Sequence, residues 1–441
     1  MHKISVRSRA SSRGRPADAT VRQRITAIGL RPFHRAILAL SLISALSPTQ
    51  AAETPSFAAL LRQAQTAAPQ LIEQGANVRA AGAEVRQAGA WLNPTLSATT
   101  ENLGAPTSGG VSQRQDTYAV TQVFEVGGKR AARIEAEQRK FDAAEARGRQ
   151  VRLAFVGQLA LAYGTAEAMQ QRKEVADAES ARADDDLRAA QALVKAGREA
   201  ELRVAQARAS AAAAHAAVQT AAADATEALG RLSALVGATE PFTHIDHPFL
   251  STVAATPAQA GWTPDRAPAL ASAAAERDAI TAQVRMEQKK VMPDVGVSVG
   301  MRRFGWSSEK AVTIGISASI PLFDRNQAGV EAARERAAGA AMRVDAARLE
   351  ALALHRSAVA QVLASDKRLQ AAEQGEAAAA DAYRLGRVGY EAGKTALVEL
   401  LAIRRALSEA KALLIEARLA GVRALATLSM AEGRNVFGET P

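Results

Sequence analysis

Two long stretches of the chain contain no proline, one from Thr107 to Glu240 and one from Leu322 to Thr440. A proline inside a helix costs about 3 kcal/mol, because it removes one hydrogen bond and its ring clashes with the preceding turn. Its absence over such lengths permits helices far longer than those of an ordinary globule. Both stretches are rich in Ala, Arg, Glu, Gln and Leu, which favour helix. Apolar residues make up 48% of the 441 positions but aromatic ones only 4%, so alanine carries much of the apolar share. Alanine fills a core poorly. The composition therefore favours slender helices packed closely side by side.

After the first stretch five prolines cluster, Pro241, Pro248, Pro257, Pro264 and Pro268. This cluster reads as a linker, residues 241–264, between two related units at 53–240 and 265–435, with a tail at 436–441. Asn93-Pro94-Thr95-Leu96 and Met292-Pro293-Asp294-Val295 each precede an extended stretch, 199 residues apart. Val194-Lys195-Ala196-Gly197-Arg198 and Tyr390-Glu391-Ala392-Gly393-Lys394 each open an apolar-periodic helix, 196 residues apart. Each unit reads helix, two strands, long helix, glycine turn, second helix. Predicted strands cover about 95–102, 117–125, 295–303 and 311–320, and predicted long helices about 128–196, 200–236, 326–388 and 396–430.

The strands carry a period of two. Val312, Ile314, Ile316, Ala318 and Ile320 alternate with Thr313, Gly315, Ser317 and Ser319, and Val295, Val297, Val299 and Met301 alternate with Gly296, Ser298, Gly300 and Arg302. Tyr118, Val120, Gln122 and Phe124 follow the same rule less cleanly. One face is apolar and the other small and polar, the pattern of a barrel wall in lipid. Four strands do not close a barrel, for which about eight are needed; left open they expose edges. Several copies must combine, and three would supply twelve strands. A helix over residues 128–196 would run roughly 100 Å and must project into water. Leu349, Leu352, Val359, Val362 and Leu369, spaced 3, 7, 3 and 7, read as a coiled-coil stripe.

The net charge of +10 is concentrated at one end. Residues 1–35 hold nine Lys/Arg against Asp18 alone, which argues against nucleic acid as a partner of the remainder. Arg31 and Arg35, the apolar run Ala36 to Leu46 and the small residues Ser47 to Ala52 read as a secretory signal, so residues 1–52 are expected to be an N-terminal extension and signal peptide. No later stretch is apolar enough for a transmembrane helix. The chain has no cysteine, which excludes disulfides, thiolate metal sites and a thiol nucleophile.

With these motifs in place, the chain resembles the TolC-type outer-membrane efflux channels, within them the branch serving cobalt-zinc-cadmium efflux. The resemblance rests on Asn93-Pro94, Glu125-Val126-Gly127-Gly128-Lys129-Arg130, Ile320-Pro321-Leu322-Phe323-Asp324-Arg325-Asn326-Gln327 and Tyr383-Arg384-Leu385-Gly386-Arg387-Val388-Gly389-Tyr390. It implies a mainly α fold with a small membrane β part: a homotrimer whose twelve-stranded barrel sits in outer-membrane lipid and whose coiled-coil tube stands in the periplasm. It implies docking of a periplasmic adaptor, alongside an inner-membrane proton-driven pump of the RND type, at the hairpin tips Ala196, Gly197, Arg198, Ala392, Gly393 and Lys394. The family often narrows its inner tip with acidic residues; here the corresponding segment offers Asp381, Arg384 and Arg387, a departure from a simple acidic ring.

The remaining candidates have plain readings. Gly127 and Gly128 suit a strand-to-helix turn rather than a phosphate loop. Pro321 should end its strand, and Asp324 and Asn326 should cap the next helix. His244 and His247 are weak metal candidates, since two histidines three apart can share a cation but a third strong ligand is not evident. No catalytic constellation or cofactor motif stands out. The expected function is a passive exit duct for divalent heavy-metal cations in a three-component efflux system. A channel for drugs or for type I protein secretion is the alternative in the same fold. A soluble periplasmic scaffold or adaptor is the rival from another class, which the lipid-type strands oppose.

Overall fold

A computed structural model describes residues 53–104, 109–253 and 258–437. All belong to one compact unit, Ala51–Pro441. The predicted leader at 1–52 and the end of the predicted tail lie outside the described residues.

The order of elements is β1 (Glu53–Thr54), α1 (Phe57–Ala67), α2 (Pro69–Ala88), β2 (Thr95–Glu101), β3 (Gln115–Glu125), α3 (Lys129–Lys195), α4 (Glu201–Val236), β4 (His244–Ile245), a 3-10 turn (Pro264–Arg266), α5 (Pro268–Lys289), β5 (Asp294–Phe304), β6 (Lys310–Ala318), α6 (Gln327–Glu391) and α7 (Leu397–Glu432). Helices α3 and α6 have 67 and 65 residues, or about 100 Å each at 1.5 Å per residue. Proline marks helix starts instead of breaking them: Pro69 and Pro268 occupy the first turns of α2 and α5, where the missing N–H has no intrahelical role.

Helix α3 runs past two pairs of helices, and α6 past α5 and α7. The first part of α3 lies between α2 and α5, and the rest between α4 and α7. The lateral order is α2–α3–α5–α6 nearer the sheet and α4–α3–α7–α6 farther away. Small residues set the spacing: a Cβ on Gly157 of α3 would lie 3.5 Å from the Ala426 Cβ of α7. Of the predicted stripe on α6, Val362 is buried and Leu352, Val359 and Leu369 are half-buried, but Leu349 is 69% exposed. Met342 and Leu363 are also exposed, so Met342, Leu349 and Leu363 form a second, uncovered stripe at heptad spacing.

The main apolar core lies midway along the helices. It gathers Phe57 and Leu60 from α1, Phe155, Leu159 and Tyr163 from α3, Leu232 from α4 and Leu419 from α7. The proline-rich segment is built into this core: Phe242, Ile245, Phe249 and Leu250 are buried, β4 pairs in parallel with β1, and Phe249 stacks on Phe57 at 4.7 Å. Buried Glu167 of α3 accepts the N–H groups of Phe249 and Leu250, both at 2.9 Å. The Tyr163 hydroxyl lies 3.3 Å from the carbonyls of Pro55 and His247, and burial, with the nearby charges of Glu167 and Asp246, pushes its pKa up to about 12. In the second half, buried Glu432 of α7 accepts the Gln259 N–H at 2.7 Å and meets Arg434 and His355.

Candidate functional site: membrane sheet, collar and helical tips

Strands β2, β3, β5 and β6 form one antiparallel sheet in that order. Register aligns the side chains in rungs. Leu96, Val120, Val299 and Ile314 form one rung, and Ala98, Tyr118, Met301 and Val312 the next. These apolar side chains face outward and uncovered; Leu96 and Ile314 are 79% and 76% exposed. The opposite face carries Ser97, Ala119, Gly300 and Thr313 in one rung and Thr95, Thr121, Ser298 and Gly315 in another. A Cβ on Gly300 would lie 2.9 Å from the Ala119 Cβ and 2.8 Å from the Thr313 Oγ1, so this side is crowded and admits only small groups. An apolar outer side and a small polar inner side are what a water-filled barrel needs. The outer strands β2 and β6 each keep one unpaired edge within the chain.

A collar joins sheet to helices. Gly127 and Gly128 both take left-handed backbone, at φ +67° and +80°, and a side chain on Gly127 would overlap Met292. The predicted turn role of the pair therefore has a steric cause as well as a conformational one. The residues after it explain the rest of the motif. Lys129 reaches Asp294 of β5 at 2.8 Å. The Arg130 Nε donates to the Gly89 carbonyl at 2.9 Å and its guanidinium lies 5.0 Å above Trp91. Arg133 donates to the Ala88 carbonyl and to Glu125. Cations thus satisfy the carbonyls left open where α2 ends.

The second junction departs from expectation. Strand β6 stops at Ala318, and Pro321 lies three residues beyond it. Neither Asp324 nor Asn326 caps α6 with its side chain. Asn326 stands at the cap position with φ +53°, and its amide instead donates to the carbonyl and carboxylate of Glu287 at the end of α5, while the Asp324 Oδ1 accepts the Asn326 N–H at 2.8 Å. A left-handed residue at that position directs its side chain to the neighbouring helix, so the pair orders the turn and ties it to α5.

Both hairpin tips end in the same turn. Gly197 and Gly393 take φ +69° and +72°. The Gly197 and Arg198 N–H groups donate back to Val194 and Leu193, and those of Gly393 and Lys394 to Tyr390 and Gly389. This double closure is the Schellman motif, which requires the left-handed glycine. Ala196 and Ala392 are the cap residues before it. Near the tips, Asp381 and Arg384 pair with each other along α6 at 3.4 Å, both exposed, and Arg387 lies exposed one turn on. Asp185 and Arg188 make the same pair on α3, 196 residues earlier. Leu202 and Val398, also 196 apart, are 65% and 53% exposed just past the two turns.

The His244 Nε2 lies 3.2 Å from Asp246 and 3.3 Å from Gln170, and His247 presents its backbone carbonyl to Tyr163. Among the described residues no group of three His, Cys, Asp or Glu is placed to hold a metal ion.

One cluster gave no signal in the sequence. Arg404 of α7 is 4% exposed and pairs with Glu179 at 2.8 Å and with Asp186, both on α3, and donates to Ser210 of α4 at 3.0 Å. Burial pushes the Asp186 carboxyl up, against the pull of Arg404. Three consecutive acids diverge as helical geometry requires: Asp184 to His215 of α4, Asp185 to Arg188 on its own helix, Asp186 to Arg404. An arginine inside an Ala-Arg-rich helix looks solvated until the neighbouring helix is known.

Against solved structures, the architecture is that of outer-membrane channels. The Vibrio cholerae outer membrane protein VceC matches with TM-score 0.69 and 22% identity, over 86% of this chain and 96% of that one. The transmembrane channel CusC matches with TM-score 0.74 and 18% identity, over 86% and 92%. Such a sheet, collar and helical shaft define a TolC-type channel subunit. The outer membrane efflux protein family matches residues 60–238 and 264–434, and the chain belongs to that family. It is 54% identical over 400 residues to the nickel-cobalt-cadmium resistance protein NccC of Alcaligenes xylosoxydans xylosoxydans, covering 90% of this chain and 91% of that one. It is 52% identical over 392 residues to the nickel and cobalt resistance protein CnrC of Cupriavidus metallidurans, covering 89% and 94%. Members of the family are passive conduits of the Gram-negative outer membrane with a periplasmic helical tube, not enzymes, and work with a periplasmic adaptor and an inner-membrane pump.

Proposed function

We propose that the chain is the outer-membrane exit duct of a tripartite efflux system for divalent heavy-metal cations, nickel and cobalt foremost. The observation that carries the cargo is the identity above one half, over nine-tenths of the chain, to NccC, a nickel-cobalt-cadmium resistance protein. A duct needs no tight metal site, since strong binding would slow release, and no cofactor. The pump supplies the energy.

Three copies form the duct. Every layer leaves the first half free on one side and the second half free on the other: β2 and β6 in the sheet, α2 and α6 above, α4 and α6 below. Unlike edges at opposite sides join head to tail, and a head-to-tail contact closes into a ring when the turn from copy to copy completes the circle, as sheet curvature into a barrel requires. The uncovered Met342, Leu349 and Leu363 stripe on α6 is then the seam with the next copy. The rungs of exposed apolar side chains face outer-membrane lipid. The adaptor docks at Ala196, Gly197, Arg198, Ala392, Gly393 and Lys394, where the two glycine turns present equivalent surfaces. Asp381, Arg384 and Arg387 line the approach to the inner opening, with Asp381 and Arg384 already paired.

Deleting the gene and plating on nickel, cobalt, cadmium and zinc tests the cargo. Loss of tolerance to nickel and cobalt, restored by the intact gene, is expected. Unaltered tolerance to all four metals would remove the metal assignment. A purified protein that stays monomeric and soluble without detergent would remove the duct.

A further inference from the structure

The outward rung at the loop end of the sheet is Thr100, Asp116, Arg303 and Lys310. It caps the apolar rung of Ala98, Tyr118, Met301 and Val312. Arg303 and Lys310 are exposed and stand directly opposite each other on β5 and β6. Like charges in that position are destabilising. Asp116 stands opposite Arg303 and attracts it, but makes no close ion pair with it: its Oδ1 accepts from Thr100 at 2.8 Å and from the Arg114 Nε at 3.0 Å, and it lies one strand away from Lys310. Among the described residues neither Arg303 nor Lys310 has an ion-pair partner within 4.0 Å, Glu309 in the adjoining turn included.

The inward face treats its cation differently. Arg302 donates to the Thr117 Oγ1 at 3.2 Å and lies 3.9 Å from Glu101. The cation that faces water thus has an acid within 4.0 Å, whereas the two that border the lipid-facing band share only Asp116, at longer range. Helices leave the other end of the sheet, so this pair lies at the cell-surface rim of the band.

We propose that Arg303 and Lys310 bind the phosphate monoester of a phosphorylated glycolipid of the outer leaflet, whose acyl chains lie along the apolar rungs below. The inference rests on the membrane-channel reading. A phosphate monoester carries about −1.5 to −2 charge and several acceptor oxygens, which matches two adjacent cations. A diester lipid carries one charge and leaves half the repulsion standing.

The test uses the full chain, wild type and R303Q/K310Q, in phosphatidylcholine vesicles containing either diphosphoryl lipid A or phosphatidylglycerol at matched charge. The readout is the temperature at which the folded oligomer dissociates. Lipid A is expected to raise the wild-type midpoint by roughly 5 °C and the variant's hardly at all, with phosphatidylglycerol weak for both. In lipid-free detergent the variant should be about as heat-stable as wild type, because the Arg303–Lys310 repulsion and the Asp116–Arg303 attraction are lost together. K310E, which replaces the repulsion with a cross-strand ion pair to Arg303, should also fold normally and lose the lipid A response. An equal lipid A response in wild type and both variants, no response in wild type, or an equal response to phosphatidylglycerol overturns the proposal. If the wild type forms no membrane-embedded oligomer in these vesicles, the duct itself fails; an oligomer without a lipid A effect sinks only this site.

Discussion

The two hairpin tips of the chain share a backbone and differ in the side chains that anchor them. Each closes on a left-handed glycine, carries an Asp–Arg pair three residues apart on the incoming helix, and exposes one apolar residue after the turn. One layer above, they part. Arg404 of α7 is buried against Glu179 and Asp186, whereas Arg208, at the same place in α4, is exposed. The positions on α6 that match Glu179 and Asp186 are Gly375 and Ala382. The seam between α3 and α7 inside one copy is therefore ion-locked, and in the proposed trimer the corresponding seam between α6 and the next copy's α4 would have no such lock. The fold dictates what both tips share; where they differ, the neighbour differs.

The largest expected effect comes from breaking the lock. Arg404→Ala leaves Glu179 and Asp186 facing each other in a half-buried site, and losing one partner of a buried pair costs about 3 kcal/mol. Thermal denaturation should show it, while Arg208→Ala, from the exposed equivalent, should change stability by less than about 0.5 kcal/mol. Equal losses would mean that the two seams are alike.

Next is the pair of carboxylates that hold the connectors, Glu167 in the first half and Glu432 in the second. Burial raises the Glu432 pKa, but the Gln259 N–H, Arg434 and His355 outweigh it and hold the carboxyl below its ordinary 4.5. A depressed carboxylate pKa stabilises the fold above about pH 4.5, and that contribution is lost as the pH falls through the folded-state value. Glu432→Gln should cost about 2 kcal/mol at pH 7. Acid melts should find the difference from wild type shrinking below pH 4.5; a constant difference would show that the charge of Glu432 does not matter.

How much of this was legible in the sequence follows from period and chirality. The strand faces could be read from Val312 to Ile320 because alternation survives any tertiary context. The tips could be read because only glycine takes φ near +70° without strain. The side chains of the collar could not. Arg130 and Arg133 look like ordinary helix-surface cations, and their targets, the carbonyls of Gly89 and Ala88, are more than forty residues away. Asn326 looks like a cap, but its amide goes to Glu287, and nothing local announces α5 as its partner. Arg404 was illegible for the same reason: its environment is made by α3, more than two hundred residues earlier.

A smaller effect separates backbone from contact at the tips. A Cβ on Gly393 would meet nothing within 4 Å, so only its φ of +72° resists substitution. Gly393→Val should cost about 1–2 kcal/mol and Gly393→Asn far less, since Asn tolerates the left-handed region. If the turn presents the adaptor surface, the valine variant should still form trimers but lose metal tolerance, and the asparagine variant should keep both. Loss of tolerance in both variants would assign the effect to surface chemistry rather than to the turn.

The smallest effect tests the unlocked seam by supplying the missing acid. Ala382 is exposed on α6 and lies 196 residues after Asp186, the residue that pairs with Arg404 in the locked seam. In a head-to-tail trimer, Ala382→Asp places a carboxylate toward the next copy's α4, where Arg208 is exposed in the position equivalent to Arg404. A partly exposed pair contributes about 0.5 kcal/mol, too little to matter for folding but repeated at three seams. The variant should therefore dissociate at a slightly higher temperature than wild type, and the gain should vanish in Ala382→Asp/Arg208→Gln. Because the added link must break whenever the tips part, the same variant should export metal more slowly at unchanged protein level. A gain in heat stability that persists without Arg208 would show that α6 and α4 do not meet across copies, and the ring would have to close in another order.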